Sequence, residues 1–458
     1  MMSLESNSNE IRPHVLGDRV VVLGAGIGGC FAAAALSKYF QSVLVLDKDE
    51  LPDGPLSRRG VGQGLHIHGL LRRPFDIACK LLPGFEDDLR RAGGIKLQLG
   101  EQSFFHDAGA WHPKRDLGVA VYAQSRPLLE HVLRSRVAGL ANVTFQDRTR
   151  VEDYIIHDGR IVAVGLQSDK QNEVVDADLV IDSTGRAGAI VDRLARLGYS
   201  DLESVELGVQ ISYTSAYFTR PAVPGKLPSG YVVRSNPPKT RSGVLWPIEG
   251  DKWVISLSGR FSDFPPADDE GFREFARSLE DPIVHEAIER ESRVTPFVRF
   301  NIPRIYWRRF DRMSRFPDRL IPLGDTVAGF NPVYGQGMAV ASLQVEELQA
   351  TLAAHAAVGR PLDGISSEVL PRIAAATEAA WSMTEPVDLV FEKTTGARPQ
   401  GFAERIAFAG AVRRAIVADD ELHRAWARVA NLIEDPSALV EILGRSESAK
   451  MSAAADGR

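Results

Sequence analysis

Cysteine is scarce in this sequence, where Cys30 and Cys79 are the only two among 458 residues. Two isolated cysteines provide neither a disulfide framework nor the ligand spacing of a zinc site, so we expect a reducing compartment. No apolar run is long enough to predict a transmembrane helix. The first residues, 1–18, are polar and lack a basic start followed by an apolar run, so we expect no signal peptide and a cytoplasmic protein.

Positive charge is not in surplus either, since the formal net charge is −6 at pH 7. Proteins that bind nucleic acids through the phosphate backbone usually carry an excess of positive charge, so we expect no nucleic-acid partner. The chain has the composition of an ordinary globular protein, with 44% hydrophobic and 25% charged residues. Its length predicts two or three packed units rather than one simple core.

The N-terminal part carries the pattern of a strand–helix–strand unit. Apolar runs at 19–23 and 42–46 predict two buried parallel strands, and the composition of 32–40 predicts a helix between them. The motif Gly24-Ala25-Gly26-Ile27-Gly28-Gly29 follows the first strand and precedes the helix. This order is typical of a unit that binds a dinucleotide.

Each glycine of this motif has a physical role in such a unit. Gly24 allows a sharp turn, Gly26 lets a pyrophosphate approach the backbone, and Gly29 lets the helix pack closely on the strand. Asp47 ends the second strand and is placed to accept hydrogen bonds from an adenosine ribose. A glycine-rich turn without a ligand is the alternative, and the surrounding strands and helix disfavour it.

A second motif in the C-terminal half indicates FAD rather than NAD. A short buried strand at 320–323 ends at Gly324-Asp325, and residues 331–338 lead into a helix predicted to reach about residue 357. A carboxylate at a strand end can bind the hydroxyls of a ribityl chain. The start of the helix near Gly337 and Met338 can stabilise negative charge on a reduced ring.

The remaining patterns predict an α/β protein that has a Rossmann-like FAD-binding domain, an inserted β-sheet substrate domain and a helical C-terminal region. Residues 213–218 and 243–257 alternate as half-buried antiparallel strands do, whereas 127–138 predicts a helix and 177–181 a buried strand. The predicted boundaries are 18–75, 110–185 and 295–350 for the FAD-binding domain, 76–109 and 186–294 for the substrate domain, 351–445 for the helical region and 446–458 for a tail.

These motifs resemble the paired FAD fingerprints of the group A FAD-dependent monooxygenases, which share a para-hydroxybenzoate hydroxylase-like fold. The stretch Arg58-Arg59-Gly60-Val61-Gly62-Gln63, with His66-Ile67-His68 after it, also resembles the arginine loop of that superfamily. It is most similar to the loop of the polyether epoxidase-like flavin monooxygenases. The resemblance covers residues 19–348 in separate segments.

The resemblance implies FAD as the cofactor, with NADPH or NADH as a transient electron donor. It implies cofactor-binding positions at Gly24, Gly26, Gly29, Asp47, Lys48, Arg58, Arg126, Asp325, Gly337 and Met338. It implies catalytic positions at Arg58, Pro332, Gly335 and Gly337, because the 332–338 turn borders the isoalloxazine in this superfamily. Asp182 stands where the superfamily often has an Asp-Gly pair, and its role in nicotinamide binding stays open because Ser183 follows it.

The activity that the resemblance implies is insertion of one oxygen atom from O2 into a small apolar organic substrate through a flavin C4a-hydroperoxide. The product would be an epoxide or a hydroxylated arene, in secondary metabolism. Three alternatives stay open: a flavin-dependent reductase or dehydrogenase of prenyl-type double bonds, a flavin halogenase, and a flavoprotein that is not an enzyme. The halogenase is disfavoured because Trp246-Pro247-Ile248 lacks the longer double-tryptophan motif of that class.

The sequence gives only weak indications of the substrate pocket. Candidates to line it are Phe104, Phe105, Tyr213, Phe218 and Trp246, although core packing is the alternative for each of them. His66 and His68 lack a third ligand at zinc spacing, so we expect no metal site and interpret them as contacts near the flavin or the substrate. The oligomeric state is not predicted.

Overall fold

The structure is a computed structural model that describes residues 14–58, 60–168, 172–221 and 228–445. Arg59 of the arginine loop and the predicted tail at 446–458 lie outside these residues. The α/β fold class predicted from the sequence is confirmed.

Strands are distributed over the whole N-terminal three quarters of the described chain. In chain order they are β1 (Gly17–Leu23), β2 (Phe40–Leu46), β3 (Ile95–Gln98), β4 (Ser103–Asp107), β5 (Ala110–Trp111), β6 (Ala120–Ala123), β7 (Val143–Gln146), β8 (Thr149–His157), β9 (Arg160–Ser168), β10 (Asn172–Asp176), β11 (Leu179–Asp182), β12 (Ser204–Leu207), β13 (Ile211–Thr219), β14 (Gly230–Val233), β15 (Ser242–Ile248), β16 (Lys252–Arg260), β17 (Val298–Ile302), β18 (Ile305–Arg308), β19 (Leu320–Pro322) and β20 (Ala328–Gly329).

Helices alternate with the first strands and then dominate the C-terminal part. They are α1 (Ile27–Leu36), α2 (Arg72–Leu81), α3 (Phe85–Arg91), α4 (Arg126–Ala138), α5 (Ile190–Arg196), α6 (Asp269–Arg277), α7 (Ile283–Arg290), α8 (Gln336–Val358), α9 (Ile365–Leu389), α10 (Phe402–Ala415) and α11 (Asp420–Ala430). Residues 437–445 are also helical. No helix among the described residues is long and apolar enough to cross a membrane.

A five-stranded parallel sheet in the order β19-β11-β1-β2-β7 forms the first layer. The later residues of its central strands are apolar because helix α1 and strands β8 and β9 of a three-stranded sheet pack against them, and Val20, Val21 and Val22 are fully buried. The carboxyl ends of the strands meet at one edge of the sheet, where the glycine motif begins. The predicted helix at 32–40 starts earlier, at Ile27, because the glycine turn leads directly into it.

A seven-stranded sheet in the order β17-β13-β16-β15-β14-β4-β5 forms the second layer. All its neighbouring strands are antiparallel except the β14–β4 pair. The single stretch predicted at 243–257 is two strands, β15 and β16, joined by a tight turn in which Gly250 and Asp251 have positive φ. Helices α6 and α7 cover one face with a cluster that includes Phe218 and Phe272, and the other face is turned toward the first layer.

The chain crosses between the two layers several times. Helices α2 and α3 precede the first strands of the seven-stranded sheet, and Leu81 and Phe85 pack in the same core cluster as residues of β1 and β2. Strand β17 pairs with β13 of the second layer. The domain boundaries stay predictions.

Candidate active site

One large cavity of about 1620 Å³ lies between the two layers and the C-terminal helices. A pocket for one small ligand usually has a volume of about 300–1,000 Å³. The cavity therefore has room for more than one ligand. We divide it into a crevice at the edge of the parallel sheet, lined by the glycine motif and Asp325, and a chamber against the seven-stranded sheet.

The glycine motif shapes the crevice through its backbone. Gly24 has φ of +98°, and its N–H donates to the carbonyl oxygen of Leu46 over 2.7 Å. A Cβ on Gly29 would lie 1.8 Å from the carbonyl oxygen of Gly24, so no side chain fits where the helix meets the strand. A Cβ on Gly26 would meet only the Arg58 Nη2 atom, at 3.5 Å, so this glycine leaves open space on the cavity side.

Asp47 lies at the end of β2 with 6% of its surface exposed. Its Oδ2 accepts hydrogen bonds from the Ala25 N–H at 2.7 Å and from Arg58 Nη1 at 2.8 Å. Its Oδ1 accepts from the Asp49 N–H at 3.0 Å. The carboxylate thus holds the glycine turn and the arginine loop together, and both it and the exposed Lys48 line the cavity.

The arginines predicted at the site form one ion-pair chain. Arg58 Nε donates to Glu130 Oε2 at 3.1 Å, and Arg126 Nε donates to Glu130 Oε1 at 2.8 Å. Burial raises the pKa of Glu130, but Arg126 and Arg58 outweigh this effect and lower it. Ser125 caps α4 by accepting from the Leu128 N–H, which fixes Arg126 at the first helical position. Arg58 and Arg126 both line the cavity.

Asp325 follows Gly324, which has φ of +64° and donates its N–H to Gln344 Oε1 at 2.6 Å. In the part of the chain that the structure describes, no hydrogen-bond donor contacts the Asp325 carboxylate. Burial raises the pKa of this carboxyl group, and Arg186, Arg126 and Arg308 oppose the rise. A Cβ on Gly337 would lie 3.6 Å from Asp325 Oδ1, so the carboxylate faces the first turn of α8.

The turn at 332–335 and the start of α8 form the rim between crevice and chamber. Asn331 Oδ1 accepts from the Val333 N–H at 3.2 Å, and Gly335 has φ of +69°. Helix α8 therefore points the unpaired N–H groups of its first turn toward the cavity. Pro332, Gly335, Gly337 and Met338, which the sequence analysis singled out, all line the cavity here.

A buried cluster that the sequence analysis missed holds this rim in place. Asp388 of α9 is fully buried, and its Oδ1 accepts from Arg260 at 2.7 Å, Tyr334 at 2.8 Å and Asn331 at 2.9 Å. Asn331 in turn accepts from the Tyr213 hydroxyl at 2.6 Å. The cluster ties α9 and two strands of the second sheet to the rim. No local motif announces it, because Asp388 lies 128 residues from Arg260.

His66 lies on the chamber side with 7% of its surface exposed, and burial lowers its pKa to about 4. Its Nδ1 lies 2.6 Å from Ser215 Oγ, while its buried Nε2 has no hydrogen-bond partner. His68 is also on the cavity wall, with its Nδ1 2.9 Å from the His66 carbonyl oxygen. No cluster of three His, Cys, Asp or Glu side chains that could hold a metal is present among the described residues.

The chamber is mainly apolar. The Trp246 ring packs over Gly230, where a Cβ would come within 2.6 Å of the ring. The C-terminal helices close the chamber with side chains such as Val412 and Trp426, a contribution that the sequence analysis did not foresee. Other apolar lining residues are Ile67, Leu99, Phe105, Val121, Val232 and Val244.

The structure separates the aromatic candidates for the substrate pocket. Tyr213, Phe105 and Trp246 line the cavity, whereas Phe218 packs against Phe272 on the opposite face of the sheet. Phe104 likewise does not line the cavity but packs against Tyr231. The reason is the two-residue period of a strand, which sends side chains at odd separations to opposite faces.

Asp182 is not on the cavity wall. It is fully buried and accepts hydrogen bonds from the Tyr154 hydroxyl at 2.5 Å and the Thr184 N–H at 3.0 Å. Its carboxylate also lies 3.6 Å from Arg193 Nη1. These contacts give Asp182 a structural role. They explain the carboxylate at the end of β11 without requiring that it bind a nicotinamide.

Comparison with known proteins agrees with this geometry. The sequence profile of the FAD dependent oxidoreductase family matches residues 19–196. The chain is also 32% identical over 393 residues to Protein Rv3254 of Mycobacterium tuberculosis, an alignment that covers 82% of this chain and 81% of that protein. The chain therefore belongs to one family with Protein Rv3254, and its residues 19–196 are similar to the FAD dependent oxidoreductase family.

Solved structures of distant sequence share the fold. The flavoprotein/dehydrogenase from Cytophaga hutchinsonii is 15% identical, with a TM-score of 0.66 over 90% of this chain and 92% of that one. The flavin-dependent brominase Bmp2 is 13% identical, with a TM-score of 0.66 over 95% and 99%. PqsL, a probable FAD-dependent monooxygenase from Pseudomonas aeruginosa, is 17% identical, with a TM-score of 0.59 over 90% and 99%.

Proposed function

We propose that this protein is an FAD-dependent monooxygenase that consumes NADPH or NADH and inserts one oxygen atom from O2 into an apolar organic substrate. The reaction would be epoxidation of an alkene or hydroxylation of an arene. The observation that carries the proposal is the direct opening of the crevice into an apolar chamber at the 332–335 rim. A cofactor held in the crevice and a substrate held in the chamber would meet at that rim.

The residues of the crevice fit FAD. Gly26 leaves the backbone open to a pyrophosphate, next to the guanidinium of Arg58, while Gly24 and Gly29 shape the turn around it. Asp47 and Lys48 would lie at the adenosine end, and Arg126 and Asp325 at the ribityl chain. Bound FAD would supply the ring that accepts electrons from the nicotinamide and passes them to O2.

The protein's own contribution at the rim is electrostatic and steric. The N-terminal turn of α8, at Gly337 and Met338, would stabilise negative charge that develops on the ring. Pro332 and Gly335 would border the ring and set its height above the chamber. The apolar walls around Trp246 would exclude water from the reacting atoms. No nucleophilic side chain is required for this chemistry.

Rapid mixing tests the proposal most directly. The flavin-loaded protein would be reduced without oxygen and mixed with oxygenated buffer while the flavin spectrum is followed. We expect a transient spectrum that differs from both the reduced and the oxidised flavin. Direct reoxidation without a transient, in the presence of candidate alkenes and arenes, would contradict the proposal and favour a reductase or dehydrogenase.

A flavin halogenase is the second candidate, because the fold is shared with the brominase Bmp2 as well as with PqsL. The two activities differ in their requirement for halide. We expect oxygen-dependent product formation in halide-free buffer, where a halogenase would form no halogenated product. A strict dependence of turnover on bromide or chloride would replace the monooxygenase proposal by the halogenase.

A further inference from the structure

The chamber ends in a cationic group that has no hydrogen-bond partner among the described residues. Arg234 follows β14 directly and lines the cavity, and its backbone N–H donates to the His106 carbonyl oxygen at 3.0 Å. In the described ranges no carboxylate, hydroxyl or carbonyl oxygen accepts a hydrogen bond from its guanidinium group, and its Nε is buried without a partner. Its one close contact is the Phe105 ring, 5.2 Å from the guanidinium carbon to the ring centroid.

The neighbouring charges do not neutralise Arg234. Asp107 also lines this end of the chamber, but its Oδ2 pairs with Arg413 Nε at 3.1 Å and its Oδ1 accepts from Asn236 Nδ2 at 2.7 Å. Asp107 also interacts electrostatically with Arg234, so one carboxylate faces two guanidinium groups and the three side chains leave one net positive charge. His112 lies beside them on the cavity wall, with both ring nitrogens buried and unpartnered.

The strand register places this cation opposite the rim. Tyr213 of β13 lies opposite Ser258 of β16, which lies opposite Ser242 of β15. Val233 lies opposite Gly243, so the same register brings Arg234 next to Ser242. Tyr213, Ser258, Ser242 and Arg234 form one row across the sheet, and all four line the cavity.

The length of this row can be estimated from strand spacing. Neighbouring strands lie about 4.8 Å apart, so the three steps from β13 to β14 span about 14 Å. Tyr213 donates to Asn331 at the rim and marks the end where a substrate would react. Arg234 marks the far end. Between them the floor carries small hydroxyl groups and the wall is apolar.

We propose that Arg234 binds a carboxylate at the far end of an elongated, mainly apolar substrate whose reacting end lies at the rim, about 14 Å away. This inference rests on the proposed function, which it deepens by naming the substrate class. The half-buried guanidinium of Arg234 shares the single carboxylate of Asp107 with Arg413 and makes no hydrogen bond among the described residues, and a ligand carboxylate would supply the missing acceptor. The unpartnered His112 offers a second hydrogen bond to the same group.

A pair of matched probes tests the inference without turnover. We would titrate the oxidised, flavin-loaded protein with ω-undecenoate and with ω-undecenamide at neutral pH, and follow the fluorescence of Trp246 and Trp426 on the chamber wall. We expect the acid to bind about 10- to 100-fold more tightly than the amide, since a hydrogen bond to a charged partner carries this advantage. In Arg234→Gln the two affinities should become equal.

Two further variants control the result. Arg234→Lys keeps the charge and should retain part of the preference for the acid, because it loses only the forked geometry. Arg405→Gln removes an exposed arginine from the same cavity wall and should keep the full preference. Flavin content and the unfolding midpoint of each variant show that it is folded.

The outcomes separate this inference from the proposed function. Equal binding of acid and amide to the unaltered protein, a preference that survives in Arg234→Gln, or binding of neither probe would each overturn the inference. If the preference depends on Arg234 but rapid mixing shows no oxygen-dependent transient, the carboxylate site stands and the monooxygenase proposal falls.

Discussion

The crevice and the chamber of this protein are built in opposite ways. The crevice is made by backbone: the glycine turn, the start of α8 and Gly324 come from short continuous segments. The chamber is made by side chains, two or three from each of six strands of the seven-stranded sheet, and by helices from the C-terminal part. A site formed by backbone tolerates few substitutions before its shape is lost. A site formed by side chains can be altered by substituting one residue at a time.

The largest effect is expected where the two regions join. Asp388→Ala would leave Arg260, 4% exposed, buried without its carboxylate. Breaking such a buried pair costs about 3–5 kcal/mol of unfolding free energy. Chemical denaturation should show this loss, together with weaker flavin retention because the rim loses its anchor. Glu421→Gln, in an ion pair that is 66% exposed or more, should cost about 1 kcal/mol or less.

The glycines of the crevice should divide into structural and ligand-facing positions. Gly29→Ala places a Cβ 1.8 Å from a backbone oxygen and should lower the unfolding free energy of the flavin-free protein by about 3 kcal/mol. Gly26→Ala meets the nearest protein atom at 3.5 Å and should leave that stability unchanged while it weakens FAD binding. Equal stability loss in both variants would contradict the division.

Asp325 tests the crevice by its side chain alone. Because no donor contacts its buried carboxylate among the residues described, Asp325→Ala should not destabilise the flavin-free protein. FAD binding should weaken about 10- to 100-fold, as expected for the loss of hydrogen bonds to a charged group. Flavin titration measures the affinity, and Asp325→Asn should lose less. Full flavin occupancy of Asp325→Ala at low FAD would refute the assignment.

A further expected effect is a change in the pH dependence of the unfolding free energy. Burial lowers the pKa of His66 from 6.5 to about 4, so between these values the unfolded chain binds a proton that the folded protein does not. Stability should therefore fall as the pH drops through this window, by up to about 1.4 kcal/mol per pH unit, and the contribution is complete above pH 6.5.

The His66→Gln variant should remove that part of the slope. We would measure the unfolding free energies of the variant and of the unaltered protein between pH 7 and pH 4. The effect would appear as a difference between the two values that shrinks as the pH falls. His157→Gln, which replaces a histidine with a 71% exposed side chain, controls for the loss of one imidazole. Parallel curves for His66→Gln and the unaltered protein would contradict the prediction.

The comparison of the two regions also explains how much the sequence could predict. The glycine motif, the carboxylates at Asp47 and Asp325 and the rim at 332–338 are local signals, and the structure brings all of them to one cavity. The strand–helix–strand order around them is equally local, because apolar periodicity determines it. Their binding roles stay predictions until FAD affinity is measured.

The chamber could not be predicted in the same way. No local motif marks Arg234 or Asp388. Each is distinguished only by its surroundings in the fold, which come from other strands and helices. One signal was present in the sequence but was not used. Tyr213 and Phe218 are five positions apart on one strand, an odd separation that excludes them from the same face. Counting that parity would have removed Phe218 from the pocket.

Asp388 also affects the order in which parts of the protein fold. It lies 54 residues after Tyr334. During synthesis the residues of the rim therefore leave the ribosome before Asp388, which anchors them. The glycine turn at 24–29 can form with the N-terminal part of the chain, since domains form progressively during synthesis. The rim at 332–335 receives its final shape only when α9 docks. We therefore expect cofactor capture to be a late event in the life of each new molecule.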